Sequence, residues 1–408
     1  MKQFTNIIIF TLVTLTVNAQ NGIFIPKGAN ATFFGDSATA FANIQNNGNL
    51  TINSSAVVNF EGQNWTNDAK AQMNGDGTVR FTSNATEAQQ IDGGYNAAIR
   101  QGAAFGTLEV ANKGGVEIKN SNAKVRNELK LKNKVTVNDN ILVVGNNNAG
   151  KITGANENNY IVTNNKDGYL LRENISNNSG KVFFPVGTDK GYTPATIAVK
   201  SANADNYYVN VVNGVGADAN RSVNRTWNVG KQNNPGQDSV ELTLQHLANE
   251  ESQLFTQNKS KSYVAQSIAA GWDNAFPKPS LINGNSNTRT FNGTIGLVSS
   301  FTVLALKADL TTERPATSVI APITSNRDYK LNVWPNPATD KFYVSMNGNI
   351  KVKSVIIWNI VGIKMTQQAV NGQSILEVKG LTTGTYVIGF IGENGNTIES
   401  RKVVVAGY

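Results

Sequence analysis

Apolar and polar positions alternate in very short runs through the first third of the chain. Leu50-Thr-Ile52, Val57–Phe60, Val79-Arg-Phe81, Leu108-Glu-Val110, Val116-Glu-Ile118, Leu129-Lys-Leu131, Val135-Thr-Val137 and Ile141–Val144 are punctuated by Asn and Gly. An apolar-polar-apolar run of period two is the pattern of a half-buried strand. No helical period of any length interrupts the series. Strands this short bury little alone, but stacked coils share one continuous core. Asn suits both tight turns and stacked side-chain ladders. Residues 20–158 therefore read as an Asn/Gly-rich, solenoid-like β-repeat region. An irregular sandwich with long Asn/Gly hairpins is the competing arrangement.

From residue 159 the runs lengthen and aromatics enter. Lys181–Thr188, Tyr192–Val199, Tyr207–Val212, Arg225–Val229, Val240–Leu244, Thr294–Val298 and Phe301–Lys307 predict a β-sandwich with a fuller core over 159–308. Residues 309–328 are polar with two prolines and read as a linker. Beyond it the pattern is again strand and turn. Lys341–Ser345, Val352–Trp358, Ile363–Thr366, Ser374–Val378, Tyr386–Ile391 and Thr397–Val405 are divided by Asn359–Gly362, Thr383-Gly384 and Glu393–Gly395. They predict a small immunoglobulin-like sandwich over 329–408. Pro335 and Pro337 fix their own φ and push Trp334 and Asn336 out of the helical region, so Trp-Pro-Asn-Pro is an extended lead into the sheet. The expected fold class is all-β throughout.

The N-terminus changes the picture of where these strands end up. Lys2 supplies a positive start, Ile7–Val17 an apolar run too short to span a bilayer, and Val17-Asn-Ala19 a small-residue cleavage site. Residues 1–19 thus read as a signal peptide cut between Ala19 and Gln20. No later stretch is apolar enough to cross a membrane.

Composition then narrows the chemistry. The chain of 408 residues has no cysteine, which excludes disulfides, thiolate metal sites and a cysteine nucleophile. The single histidine, His246, cannot build a multi-histidine zinc site. It falls in step with Val240, Leu242 and Leu244, as a partly buried structural residue does. The net charge is +8, yet Lys and Arg are scattered singly, which argues against nucleic acid as a partner. The densest cluster, Lys124–Lys134, alternates with apolar residues like the solvated face of a strand. No Gly-x-Ser-x-Gly elbow, His-Glu-x-x-His, Walker loop or EF-hand series is present. Asn74-Gly-Asp-Gly77 has the look of a calcium-loop fragment but lacks the ligand series, and turn chemistry explains it. No catalytic, metal or cofactor residues are nominated.

Ordered features at the extreme C-terminus carry a resemblance. They are Pro335-Asn336-Pro337 followed by Asp340, Gly362 in a mid-domain turn, Leu381 with Gly384 and Tyr386, and Lys402 in a basic-apolar terminal strand. The stretch resembles the type A C-terminal sorting domain of the type IX secretion system of Bacteroidota. The resemblance implies an outer-membrane translocon, a shuttle protein and a sortase-like peptidase as partners, and a destination outside the cell. Asp36-Ser37-Ala38 and Asp238-Ser239-Val240 match the acceptor pattern of O-glycosylation in the same bacteria. Phe184–Thr188, Tyr192 with Pro194 and Arg225 with Trp227 resemble a segment of large surface proteins of that phylum, which implies an architectural role.

The expected function is a secreted structural or adhesive surface protein without catalysis, with surface glycans as a partner of its body. A β-helix lyase-like polysaccharide enzyme and a glycan-binding module are the alternatives. A lyase would line its stack with clustered Arg, Lys and Asp. A scaffold would show bland Asn, Thr and Lys faces.

Overall fold

The computed structural model describes residues 22–164, 167–214, 220–233, 236–268, 271–272, 281–282, 285–305, 329–359, 364–393 and 397–406. Its regular secondary structure is nearly all strand, with four short helical turns among the described residues. The described chain forms two compact units. One holds the residues up to Asn213 together with Val240–Leu247, and the other Gly214–Ser239 together with the residues from Ala248 onward.

The first unit is built from parallel ladders. One runs through Gly22–Ile25, Asn43–Asn46, Asn64–Asn67, Gln89–Asp92, Val116–Ile118, Val135–Thr136, Ile161–Val162 and Val186–Thr188. A second runs through Ser37–Ala40, Val57–Phe60, Thr78–Phe81, Phe105–Val110, Ala123–Leu131, Ile141–Val144 and Tyr169–Ile175. A third joins Asn30–Phe33, Asn49–Ile52 and Gln72–Asn74.

The registers explain why period two suffices. Val58, Val79, Leu108 and Leu129 stand over one another and point inward, as do Phe60, Phe81, Val110 and Leu131. Trp65 enters the same interior from the first ladder. Its ring centroid lies 5.4 Å from that of Phe60, 6.3 Å from Phe81 and 5.5 Å from Phe105. All four rings are buried, so one aromatic column holds successive coils together.

Asparagine does more than turn the chain. Asn46 and Asn67 are both buried, and Asn46 Nδ2 donates to Asn67 Oδ1 at 3.1 Å across a 21-residue step. Asn46 Oδ1 accepts from the Gly48 amide, and Asn67 Nδ2 donates to the Gly93 carbonyl. A buried amide needs all its bonds met, and a stack of like residues meets them coil by coil. At one corner Gly75 takes a φ of +78° with its Cα against the Ile52 carbonyl of the coil before. A Cβ there would strike that oxygen.

The change in character expected at residue 159 falls inside the parallel ladders, which run on through Ile161–Val162 to Val186–Thr188. Tyr169–Ile175 pairs in parallel with Ile141–Val144 on one side and antiparallel with Asp205–Asn213 on the other. It is buried on both faces almost throughout. Its apolar start, Tyr169 to Leu171, lacks alternation as in a strand covered on both faces, and resembles a sandwich core in composition. Lys181–Phe184, Ala195–Val199 and Asp238–Gln245 pair antiparallel in a separate sheet.

The second unit contains antiparallel pairs of Arg225–Lys231 with Ser299–Ala305 and of Ser299–Ala305 with Ser262–Ile268. Trp227, Phe301 and Val303 are fully buried within it. It also contains the C-terminal sandwich.

Candidate functional site

The C-terminal sandwich has two antiparallel sheets. Tyr329–Trp334, Lys341–Gly348 and Ile375–Lys379 form one; Lys364–Ala369, Val352–Asn359, Gly384–Gly392 and Thr397–Val405 form the other. Their inner faces share one core. Leu331, Phe342, Val344 and Val378 come from the first sheet, and Val355, Ile357, Ile388, Phe390, Val403 and Val405 from the second. Tyr329–Trp334, which the sequence pattern did not mark as a strand, is an edge strand of the first sheet.

The residues singled out from sequence gather at two places. Pro335, Asn336 and Pro337 leave the edge strand as an exposed segment whose two X–Pro bonds are both cis. Asn336 turns its amide onto the terminal strand. Its Nδ2 donates to the Lys402 carbonyl at 2.9 Å, and its Oδ1 accepts from the Val404 amide at 2.9 Å. Ala338 continues the pairing: its amide donates to the Val404 carbonyl, and its carbonyl accepts from the Ala406 amide. Lys402 sits half-buried in that strand, opposite Val387. Asp340 is exposed at the turn that follows.

The second place is the corner before Gly384–Gly392. The buried Tyr386 ring sends its hydroxyl back to the Thr382 carbonyl, four residues upstream, at 2.7 Å, with Thr382 Oγ1 at 3.0 Å. This is the corner arrangement of immunoglobulin-like sandwiches. Leu381 packs against the shared core, and Gly384 lies under the Tyr386 ring. Ala338 and Thr382 were not nominated from sequence. A small residue directly after Pro-x-Pro, and a hydroxyl four places before a tyrosine, are the signals that point to them.

The outer face of the first sheet is charged and aromatic. Trp334 and Tyr343 pair across strands with ring centroids 5.9 Å apart. Lys341 Nζ lies 3.0 Å from Glu377. The Tyr343 hydroxyl and the Glu377 carboxylate hold the Lys341 ammonium up at about 12, and Lys341 in turn lowers Glu377.

Elsewhere the nominated residues stay apart. Ser37 is exposed on the first coil and accepts from Asn59 Nδ2 at 3.1 Å. Ser239 is exposed, while its neighbour Asp238 is buried against Lys231 at 2.7 Å. His246 is fully buried in line with Val240, Leu242 and Leu244, deeper than its pattern alone predicts. Trp227 is a core residue. Asp76 of the Asn-Gly-Asp-Gly turn is bonded by Asn127 at 2.9 Å. Ala19, Gln20, Gly362 and the linker 309–328 lie outside the described residues.

Several charged side chains of the stack pair with one another. Glu109 is buried between Arg80 at 3.1 Å and Lys132 at 2.6 Å. Burial alone would raise its pKa, but the two cations outweigh that and hold the carboxyl below its usual range. The Lys124–Lys134 cluster departs from a plain solvated face. Lys124 is buried, with Glu173 at 2.9 Å and the Tyr95 hydroxyl at 3.3 Å. Arg126 turns back into the turn, donating to the carbonyls of Met73, Gly75 and Ala104. Among the described residues no three His, Asp or Glu side chains converge as a metal site would need.

The fold and this site define an all-β chain that ends in a small immunoglobulin-like module closed by its own first segment. Residues 332–406 match the family of secretion system C-terminal sorting domains. The match supports a substrate of the type IX secretion system, and with it secretion out of the cell and interaction with the type IX machinery. No curated protein matches the chain. No helix among the described residues is long and apolar enough to cross a membrane.

Proposed function

We propose that the chain is a surface protein whose body is a structural or adhesive solenoid-like stack, delivered by the sorting domain at its C-terminus. The observation that carries the reading of the body is the outward-facing row Thr39, Asn59, Arg80, Glu109 and Lys130. Within it Arg80 and Glu109 pair across coils at 3.1 Å, while Lys130 lies 3.7 Å from Glu128 of its own strand. Catalytic groups need perturbed pKa values in a shared cleft with supporting neighbours. Repeated polar rows favour weak, multivalent contact, which suits adhesion to surface glycans or to other surfaces.

In this reading, the signal peptide is removed between Ala19 and Gln20, and the sorting domain then engages the outer-membrane translocon and its shuttle protein. A sortase-like peptidase acts afterwards. Ser37 and Ser239, both exposed, are the proposed O-glycan acceptors.

Deletion of Leu331–Tyr408 tests the export route. The truncated protein should remain in the periplasm; undiminished surface display would refute the reading. The body is tested separately by screening the purified protein against acidic and neutral polysaccharides. Retention without turnover fits the proposal. Turnover that disappears when a single Asp, Glu, Lys or Arg is changed without unfolding would replace the scaffold with an enzyme.

A further inference from the structure

The terminal strand Thr397–Val405 has one neighbour within its sheet, Gly384–Gly392. Its Lys402, Val404 and Ala406 direct their main-chain groups away from that neighbour. An uncovered row of this kind is a template for strand addition. Here it is covered. The Asn336 side-chain amide takes the Lys402 carbonyl and the Val404 amide, one acceptor and one donor, as a peptide group of an adjacent strand would. The Ala338 main chain takes the Val404 carbonyl and the Ala406 amide, in a parallel bridge opposite Val405. Pro335 and Pro337 flank Asn336 and have no N–H, so the segment offers few donors to a further strand. The spacing Pro-Asn-Pro-Ala therefore has a physical reason: it pairs on one side and is blunt on the other.

We propose that Pro335–Ala338 is a latch that seats the terminal strand, that Asn336 is its positioning residue, and that the type IX machinery reads the terminal strand in this seated form. The inference rests on the export reading above. It favours the seated over the released strand because Val403 and Val405 are buried in the core shared by both sheets. Peeling the strand away would expose both and open the sandwich.

The test uses the full chain in a secreting host. Asn336→Ala removes both side-chain bonds. Hydrogen exchange at the Val404 amide should rise at least tenfold, with the Val403 amide, which faces Gly384–Gly392, changing less. Surface display should fall at least fivefold. Asn336→Asp keeps the acceptor for Val404 and loses the donor to Lys402, so it should fall between the two. It also serves if Asn336→Ala does not fold.

The chain lacks cysteine, so Ala338→Cys with Val405→Cys places a lone thiol pair across the parallel bridge. The cross-linked protein should be displayed as well as the uncross-linked double variant. Display lost only on cross-linking would overturn the proposal, because the strand would then have to leave its seat. Faster exchange with undiminished display would overturn it as well. So would lost display with unchanged exchange, which would make Asn336 a direct contact. Deletion of Leu331–Tyr408 separates the two levels. If deletion blocks display and the variants behave otherwise than stated, the latch fails and the export reading stands. If deletion leaves display intact, both fail.

Discussion

The parallel stack and the terminal sandwich solve the same problem in opposite ways. Both are made of strands with little sequence regularity. In the stack each residue's inward neighbours are its counterparts one coil away, as with Phe60 and Phe81 or Asn46 and Asn67. In the sandwich, strands distant in sequence converge on a single core, with Leu331 and Val403 in one cluster. Stability in the stack is then close to a sum of nearest-neighbour terms, whereas the sandwich stands or falls as one cooperative unit. The edges differ as well. The last strand of the sandwich is covered by Asn336 and Ala338, while the first coil carries exposed Phe24, Phe34 and Phe41.

The strongest way to break this contrast is at the aromatic column. Trp65→Ala removes the largest fully buried ring of the stack. It should cost about 3–5 kcal/mol. Hydrogen exchange of the whole chain should show the loss in peptides covering Asn43–Phe105 and leave Gly384–Val405 unchanged. A loss spread evenly over both regions would mean that the stack is not a nearest-neighbour structure.

Asn46→Leu probes the buried amide ladder. It removes the bonds of Asn46 to the Gly48 amide and to Asn67 Oδ1 and should cost about 1–3 kcal/mol, read as a lower urea midpoint for the stack. Tyr386→Phe removes the hydroxyl bond to Thr382 and should cost about 1 kcal/mol. Because the sandwich has one core, that smaller loss should appear across all its strands at once.

The smallest effect is electrostatic and is read in the stack. The folded-state pKa of Glu109 is held below its ordinary value of 4.5. Its contribution is therefore complete above that value and is lost as pH falls through the lowered one. Urea midpoints of the stack should hold as pH falls from neutral to about 4.5 and decline below it. Glu109→Gln should make that decline shallower. A decline of equal steepness in the variant would assign the acid sensitivity to other groups.

Legibility follows the same divide. Val57–Phe60, Leu108–Val110 and Val116–Ile118 are visible because their apolar residues alternate, and each lies within a strand. Asn43–Asn46 and Asn64–Asn67 are strands with turn-like composition. Asn is poor in strands in general, and only the ladder partner one coil away makes it favourable. Lys124 reads as solvated because its partner Glu173 lies 49 residues downstream. The sandwich strands from Lys341 onward are legible nearly to their ends, since one face meets a core and the other meets water. The first of them, Tyr329–Trp334, hides behind two prolines that mark its end. The positions of Pro335–Pro337 and Tyr386 were readable, but not what they touch: Asn336 meets a strand more than sixty residues away.

The corners of the stack have a consequence for how such a chain can change over generations. Between Val57–Phe60 and Asn64–Asn67 the chain turns through residues 61–63, and one coil later residues 82–88 make the equivalent turn. The longer connection leaves Ile91 directly over Trp65. Insertions and deletions at a corner therefore go unnoticed by the ladders, whereas a single residue gained or lost within a strand would turn every later side chain of that strand inside out. Descendants of such a gene are free to drift in length and to blur their repeat while keeping the same interior, so kinship among them will be written in which rows face inward, not in spacing along the chain.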